Sequence, residues 1–174
     1  MATKTKSKAP TAEEVARSTI EAFKARDFDT VAANWSEEGV EDIVPLGILR
    51  GRDEILENAR GTYAVSPDLE VTIESIVADD RRAAVQWRGS GTFTGEPFNG
   101  IEPTGARMEL RFVEVMEIED GLIVRNTVYY DAAAIARQIG MMPEQESGAE
   151  KAMVAAFNTL TKVRKAIDRR KANA

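Results

Sequence analysis

Apolar residues recur at helical spacing in the first third of the chain. The first helix begins at a capping box, in which the Thr11 side chain accepts from a free backbone N–H and the Glu14 side chain reaches back to the Thr11 amide. A short strand over residues 40 to 44, ended by Pro45, interrupts the helical pattern. The spacing predicts three helices, over residues 12 to 25, 28 to 35 and about 52 to 63.

The middle of the chain alternates apolar and polar residues, as strands with one buried face do. The first such strand is centred on Val71 and the second on Trp87. Between them, residues 79 to 82 are Asp, Asp, Arg and Arg, a polar group typical of a turn. The two strands are therefore predicted to form a hairpin.

A longer strand follows over residues 107 to 118. Its apolar residues hold one phase as far as Phe112 and take the other phase from Val113 onward, which predicts a bulge in a curved strand. Asp120-Gly121 is a hairpin turn, and the last strand runs from Leu122 to Tyr130.

A short helix closes the domain, with Asp131 as its N-cap and Gly140 after its last turn. Three helices followed by four long antiparallel strands are typical of the α+β class. We expect a curved antiparallel sheet with helices packed on one side, an arrangement that can enclose a pocket.

The length of 174 residues favours one compact domain. Residues 1 to 10 carry three Lys and no acid and are expected to form a basic tail, and residues 11 to 143 form the domain. Residues 141 to 148 resemble a linker, and residues 149 to 174 are predicted to form a basic amphipathic helix. Its apolar stripe needs a partner surface, either the domain or a second copy, and consists of Met153, Phe157, Leu160 and Ile167.

The chain contains neither Cys nor His. Disulfides, thiolate and imidazole metal ligands, Cys nucleophiles and the Ser-His-Asp triad are therefore excluded, and acid-base chemistry falls to carboxylates, Tyr, Lys and Arg. The acidic group around Glu119 lies beside a turn, where solvated charge is expected, so no metal is predicted. The glycines from Gly89 to Gly95 lie between strands, unlike a dinucleotide fingerprint, and no cofactor is predicted.

The net charge is −6, but residues 11 to 148 hold 27 acidic and 13 basic side chains. Such an acidic domain disfavours nucleic acid as a partner. No window approaches the length of an apolar membrane span, and the first ten residues lack the apolar segment of a signal peptide. We therefore expect a cytoplasmic protein that does not bind membranes.

Two segments carry a resemblance to a known family. Arg88-Gly-Ser-Gly-Thr-Phe-Thr-Gly, continuing to Pro103-Thr-Gly-Ala-Arg107, resembles the Gly-Thr-x-x-Gly and Pro-Thr-Gly-Lys segment of SnoaL-like polyketide cyclases. The end of the last strand, Tyr129-Tyr-Asp131, and the run to Pro143 resemble that family's ending. The resemblance covers about residues 11 to 143. It implies the cone-shaped fold of the nuclear transport factor 2-like superfamily, a curved sheet wrapped around a pocket.

The resemblance also implies a role for Asp131. In family members that catalyse aldol cyclisation, the Asp of this terminal element is the acid/base, and Asp131 matches it. The alternative is a purely structural N-cap, worth about 1 kcal/mol. Phe93 stands where many members have His.

A second carboxylate, Asp42, matches the proton-shuttling Asp of ketosteroid isomerases in a similar early segment. Asp42 shares strand parity with Val40 and Val44, so it faces the pocket if those valines do. The alternative is an exposed carboxylate. Thr19 and Arg111 replace the two oxyanion-hole residues of those isomerases, which argues against steroid chemistry.

Six aromatic residues are candidates for the lining of the pocket, with burial in an ordinary core as the alternative. They are Trp35, Tyr63, Trp87, Phe93, Phe112 and Tyr129.

The function expected from these residues is that of a cofactor-independent acid/base enzyme, an aldol-type cyclase or isomerase. Its substrate would be a small hydrophobic carbonyl compound, with Asp131 and Asp42 as the catalytic pair. The alternative is a non-catalytic module on the same fold that binds a small ligand or a partner. A homodimer is expected in either case.

Overall fold

The structure, a computed structural model, describes residues 9–44 and 46–172, except for the side chains of Arg170 and Ala172. Pro45, predicted to end the first strand, and residues 1–8 of the predicted basic tail lie outside the described residues. The fold is of the predicted α+β class.

Three helices precede most of the sheet: α1 (Ala12–Ala25), α2 (Phe28–Ala33) and α3 (Arg52–Val65). The predicted capping box is present at Thr11, with both of its hydrogen bonds made. Helix α2 ends two residues earlier than predicted, because Trp35 pairs with Ile123 in the sheet instead of continuing the helix.

Six strands form one curved sheet: β1 (Trp35–Val44), β2 (Gly47–Arg50), β3 (Glu70–Ala78), β4 (Arg82–Thr92), β5 (Arg107–Glu119) and β6 (Leu122–Tyr130). Their order across the sheet is β2-β1-β6-β5-β4-β3. Strands β3 to β6 pair antiparallel with one another, as predicted, whereas β1 runs parallel to β6 and antiparallel to β2. Strand β1 begins earlier than predicted, and β2 was not predicted.

The bulge predicted at Phe112 and Val113 is absent. Strand β5 pairs with β4 without interruption from Arg107 to Glu117, and a register shift occurs only later, in its pairing with β6. The even-numbered side chains of β5 therefore keep facing inward, and Glu114 occupies one of these inward positions. The prediction was wrong because it took Val113 and Val115 as inward residues, whereas both lie on the outer face and Val113 is 41% exposed.

The main core lies between the helices and the concave face of the sheet, where Ile20, Val85, Met116 and Ile123 are almost fully buried. A smaller cluster beside α4 (Ala132–Gln138) contains Phe93, Met108 and Ile139. These two clusters enclose the cavity described below.

Helix α5 (Gly148–Ala172) follows, and its apolar stripe is exposed, with Phe157 at 67% and Leu160 at 69%. The sequence analysis expected either the domain or a second copy to cover this stripe. The domain of the same chain does not cover it. An ion pair between Arg137 and Glu150, at 3.4 Å, connects the start of α5 to α4. Within the described residues, no helix has the length and hydropathy needed to cross a membrane.

Candidate functional site

A cavity of about 460 Å³ lies between the helices and the sheet. This volume is within the range of small-molecule sites. Four of the six aromatics proposed as pocket residues line it: Trp35, Trp87, Phe93 and Phe112. The rings of Trp87 and Phe112 stack with their centroids 4.0 Å apart and their planes 11° apart, which forms one flat wall.

The other two aromatics do not line the cavity. Tyr63 packs between helices, and its hydroxyl donates to the Phe23 carbonyl oxygen at 2.9 Å. Tyr129 is half exposed on the outer face of the sheet, while the neighbouring Tyr130 faces the cavity. Tyr130, and not the chosen Tyr129, lines the cavity, because successive side chains of a strand point to opposite faces.

Asp131 caps α4. Its Oδ1 accepts from the Ala134 amide at 2.9 Å, and the side chain is exposed and outside the main cavity. Asp131 instead lines two other pockets, of about 580 and 460 Å³, which Arg111 also lines. This geometry is that of a structural N-cap, and the catalytic role of Asp131 stays a prediction.

Asp42 also lies outside the main cavity. Its Oδ2 accepts from Arg125 Nη2 at 3.3 Å. Asp42 was expected to face the pocket only if Val40 and Val44 do. Val44 is 38% exposed and does not line the main cavity, so this condition is not met. The residues of β1 that line the cavity are Trp35, Ile43 and the neighbour of Asp42, Glu41.

Two buried carboxyl groups meet in the cavity wall, one from β1 and one from β5. Asn126, on the strand between them, donates through Nδ2 to Glu114 Oε2 at 2.7 Å and to Glu41 Oε1 at 3.1 Å. Trp87 Nε1 donates to Glu114 Oε1 at 2.7 Å. We call Glu41, Glu114, Asn126 and Trp87 the carboxyl cluster.

The environment of the cluster favours protonation of its carboxyl groups. Burial, together with the negative charge of Glu114, raises the pKa of Glu41 from its ordinary 4.5 to about 8. Burial also raises the pKa of Glu114, although hydrogen bonds from Asn126 and Trp87 oppose the shift. Because Glu114 accepts two short hydrogen bonds and Glu41 accepts one longer bond, the negative charge of the pair resides mainly on Glu114.

The sequence analysis missed Glu41, Glu114 and Asn126. A signal for Glu114 existed, because Met108, Leu110, Phe112, Met116 and Ile118 share its parity along β5. No comparable signal marked Glu41, whose burial depends on the pairing of β1 with β6.

Two polar groups in or beside the carboxyl cluster have no hydrogen-bond partner among the described residues. Asn126 Oδ1 is buried and unpaired. Tyr130, on the same face of β6 as Asn126, makes a ring contact with Phe112 but no hydrogen bond, and burial raises the pKa of its hydroxyl. The described residues contain no group of three or more acidic side chains arranged to hold a metal.

The curved sheet, the helices on its concave side and the enclosed cavity define the class of nuclear transport factor 2-like proteins. The sequence profile of the SnoaL-like polyketide cyclases matches residues 13–139, and the chain belongs to that family. No curated protein matches the chain significantly in sequence.

Solved structures share the fold. AclR of Streptomyces galilaeus, a proposed hydroxylase, has a TM-score of 0.68 at 22% identity, over 88% of this chain and 96% of its own. IdmH of Streptomyces antibioticus, a proposed polyketide cyclase, has a TM-score of 0.66 at 25% identity, over 75% and 99%. A protein of Catenulispora acidiphila in complex with trimethylamine has a TM-score of 0.61 at 16% identity, over 75% and 95%.

Proposed function

We propose that the chain is a cofactor-independent acid/base enzyme, an aldol-type cyclase or isomerase that acts on a small hydrophobic carbonyl compound. The observation that carries this proposal is the pair of buried carboxyl groups, Glu41 and Glu114, in the wall of an apolar cavity. Membership of the SnoaL-like family supports the reaction class.

The two carboxyl groups take different roles in this proposal. Glu114, held by Trp87 and Asn126, is the ionised group and removes a proton from the carbon next to the substrate carbonyl. Glu41 is protonated at neutral pH and donates to the carbonyl oxygen. Asn126 keeps both groups in place.

These roles give a balanced reaction. The α-proton moves to Glu114, the electron pair of the C–H bond forms the enol double bond, and the carbonyl oxygen takes the proton of Glu41. In an isomerisation, Glu114 gives its proton to a different carbon of the enol, and the enol O–H returns its proton to Glu41 as the carbonyl re-forms. In an aldol cyclisation, the enol carbon attacks a second carbonyl of the same molecule, the oxygen of that carbonyl takes the proton from Glu114, and the enol O–H again returns its proton to Glu41.

Deuterium exchange at the α-carbons of 4-phenylbutan-2-one in D₂O, followed by NMR, tests the proposal without knowledge of the natural substrate. We expect the wild-type protein to accelerate exchange above the rate in buffer. E41Q and E114Q should each lower the protein-dependent rate by about 100-fold or more. The protein-dependent rate should also fall above about pH 8, as Glu41 loses its proton.

Two matched variants complete the experiment. E38Q removes a carboxylate that is exposed on the same strand as Glu41 and should exchange at the wild-type rate. D131N tests the role that the sequence predicted. If D131N abolishes exchange and E41Q does not, the base is Asp131 and the present assignment is wrong.

The second candidate is a non-catalytic module that binds a small ligand. The hydrogen bonds that fix Glu114 favour it, because they stabilise a buried carboxylate without any need for turnover. The trimethylamine complex of the Catenulispora protein is in line with a ligand-binding use of this fold. Ligand binding with no α-proton exchange would select this candidate.

Two further expectations belong to the proposal. The composition, free of Cys, supports a cytoplasmic location. The exposed stripe of α5 supports a homodimer.

A further inference from the structure

The lining of the cavity is acidic without any compensating positive charge. The titratable residues of the lining, among the described residues, are Glu41, Glu96, Glu114 and Tyr130. No described residue of the lining is a Lys or Arg. Glu96 lies in the exposed loop at one side of the cavity, and burial keeps the Tyr130 hydroxyl neutral. Glu41 and Glu114 are therefore the carboxyl groups that can carry charge at the buried end of the cavity.

Buried carboxylates in proteins are normally paired with a cation. Asp42, on the outer face of β1, follows this rule through Arg125, but Glu41 and Glu114 make only neutral hydrogen bonds. The negative charge at this end of the cavity has no counter-ion within the described residues.

The hydrogen bonds of the carboxyl cluster also leave acceptors in excess. The side-chain N–H groups of Asn126 and Trp87 are already donated to the two carboxyl groups. Asn126 Oδ1 is buried and accepts from no donor among the described residues. A ligand that supplies N–H donors would satisfy these acceptors.

We propose that the cavity binds an apolar molecule that carries a protonated amine, and that the ammonium group lies against Glu41 and Glu114 as their missing counter-ion. The inference rests on the carboxyl cluster of the proposed function and adds a second class of ligand, an amine that occupies these carboxyl groups in place of a carbonyl substrate. The stacked rings of Trp87 and Phe112 give the cation an aromatic wall. A ligand carboxylate is rejected, because it would meet like charge in a poorly solvated place.

Three probes that share one phenylethyl body test the proposal. N,N-dimethyl-2-phenylethylamine is the cation, 4-phenylbutan-2-one is the neutral analogue, and 3-phenylpropanoate is the anion. Their dissociation constants are measured by calorimetry between pH 6 and pH 9 on the full-length protein. Because ionisation of Glu41 adds negative charge over this range, affinity for the amine should rise with pH, while affinity for the ketone should not rise.

At pH 8 the amine should bind at least about tenfold more tightly than the ketone, and the propanoate should bind more weakly than either. E41Q and E114Q should each remove most of the preference for the amine. E38Q, on the same strand but outside the cavity, should keep the preference. An amine that binds no better than the ketone at every pH, or a preference that survives E41Q and E114Q, overturns the inference.

The two proposals fail in different ways. Amine preference with no deuterium exchange of the ketone rejects the enzyme and retains the cation site. Exchange of the ketone with no amine preference rejects the cation site and retains the enzyme. If both hold, the amine should inhibit exchange competitively, since it occupies the same carboxyl groups.

Discussion

One amide side chain, Asn126, organises the polar end of the cavity. Its Nδ2 donates to Glu41 and Glu114, which lie on the strands on either side of it. These two residues are 85 and 12 positions away from Asn126 along the chain. Two carboxyl groups that share one donor in a buried site do not both ionise readily, so the pair holds a proton at neutral pH. The structure concentrates acid/base capacity at this point without any His.

The raised pKa of Glu41 predicts how stability depends on pH. Its pKa is 4.5 ordinarily and about 8 in the folded protein, so the folded state binds more protons than the unfolded state between these values. The contribution of Glu41 is fully present below pH 4.5 and is lost as pH rises through about 8. We expect the free energy of unfolding to fall by roughly 4 kcal/mol from pH 5 to pH 9.

Urea unfolding at unit intervals of pH measures this slope. E41Q should flatten it and E38Q should not, and Glu114 adds a residual slope of the same sign. The exposed Asp27, Asp68 and Asp79 do not interfere, because their pKa values are lowered and they stay ionised throughout this range. Equal slopes for wild type and E41Q would show that Glu41 is not a buried titrating group.

At the scale of elements, the strands place the chemistry and the helices close the cavity. Strands β1, β6 and β5 lie side by side and contribute Glu41, Asn126 and Glu114. Loop 93–106 is attached to the end of α3, where the Gly95 amide donates to the Val65 carbonyl at 3.0 Å. A side chain at Gly95 would collide with the Ala64 carbonyl oxygen, so this attachment requires glycine.

Helix α4 provides a prediction about its cap. Because Asn accepts from the Ala134 amide as Asp131 does, D131N should leave the melting temperature within about 1 °C of wild type. D131A loses the bond and should destabilise by about 1 kcal/mol, or roughly 2 to 4 °C. Thermal unfolding of the three proteins measures the difference, and a D131A protein as stable as wild type would show that the cap contributes nothing.

At the scale of the whole molecule, the domain and α5 differ in how they bury apolar surface. The domain encloses its core between helices and sheet, whereas the stripe of α5 contacts solvent in the single chain. A stripe of this kind on a soluble protein is typical of a surface that another chain covers. The basic residues of α5 and the acidic domain suit contact between two copies.

Removal of α5 tests the predicted homodimer. If a second copy covers the stripe, the full-length protein should sediment as a dimer at micromolar concentration, and a chain ended after Pro143 should sediment as a monomer. The full-length double variant F157E/L160E should also be monomeric, because it places charge on the stripe without shortening the chain. A monomer for the unaltered full-length chain would reject the prediction.

The sequence by itself determined the class of fold and most elements, because their signals are local. The capping box at Thr11, the hairpin turn at Asp120-Gly121 and the alternation along β5 each lie within a few residues. Four of the six chosen aromatics line the cavity for the same reason, since inward positions on strands favour large apolar side chains.

Only the tertiary structure decided which carboxyl groups share the cavity. Glu41 and Asp42 are neighbours in the sequence, and their faces differ because β1 pairs with β6 in one register and not in the register shifted by one residue. Glu114 stays inward because Trp87 and Asn126, from two other strands, satisfy its oxygens. Such compensation between distant residues leaves no pattern within any short stretch of sequence, and it is the reason that the sequence analysis did not bring Glu41 and Glu114 together.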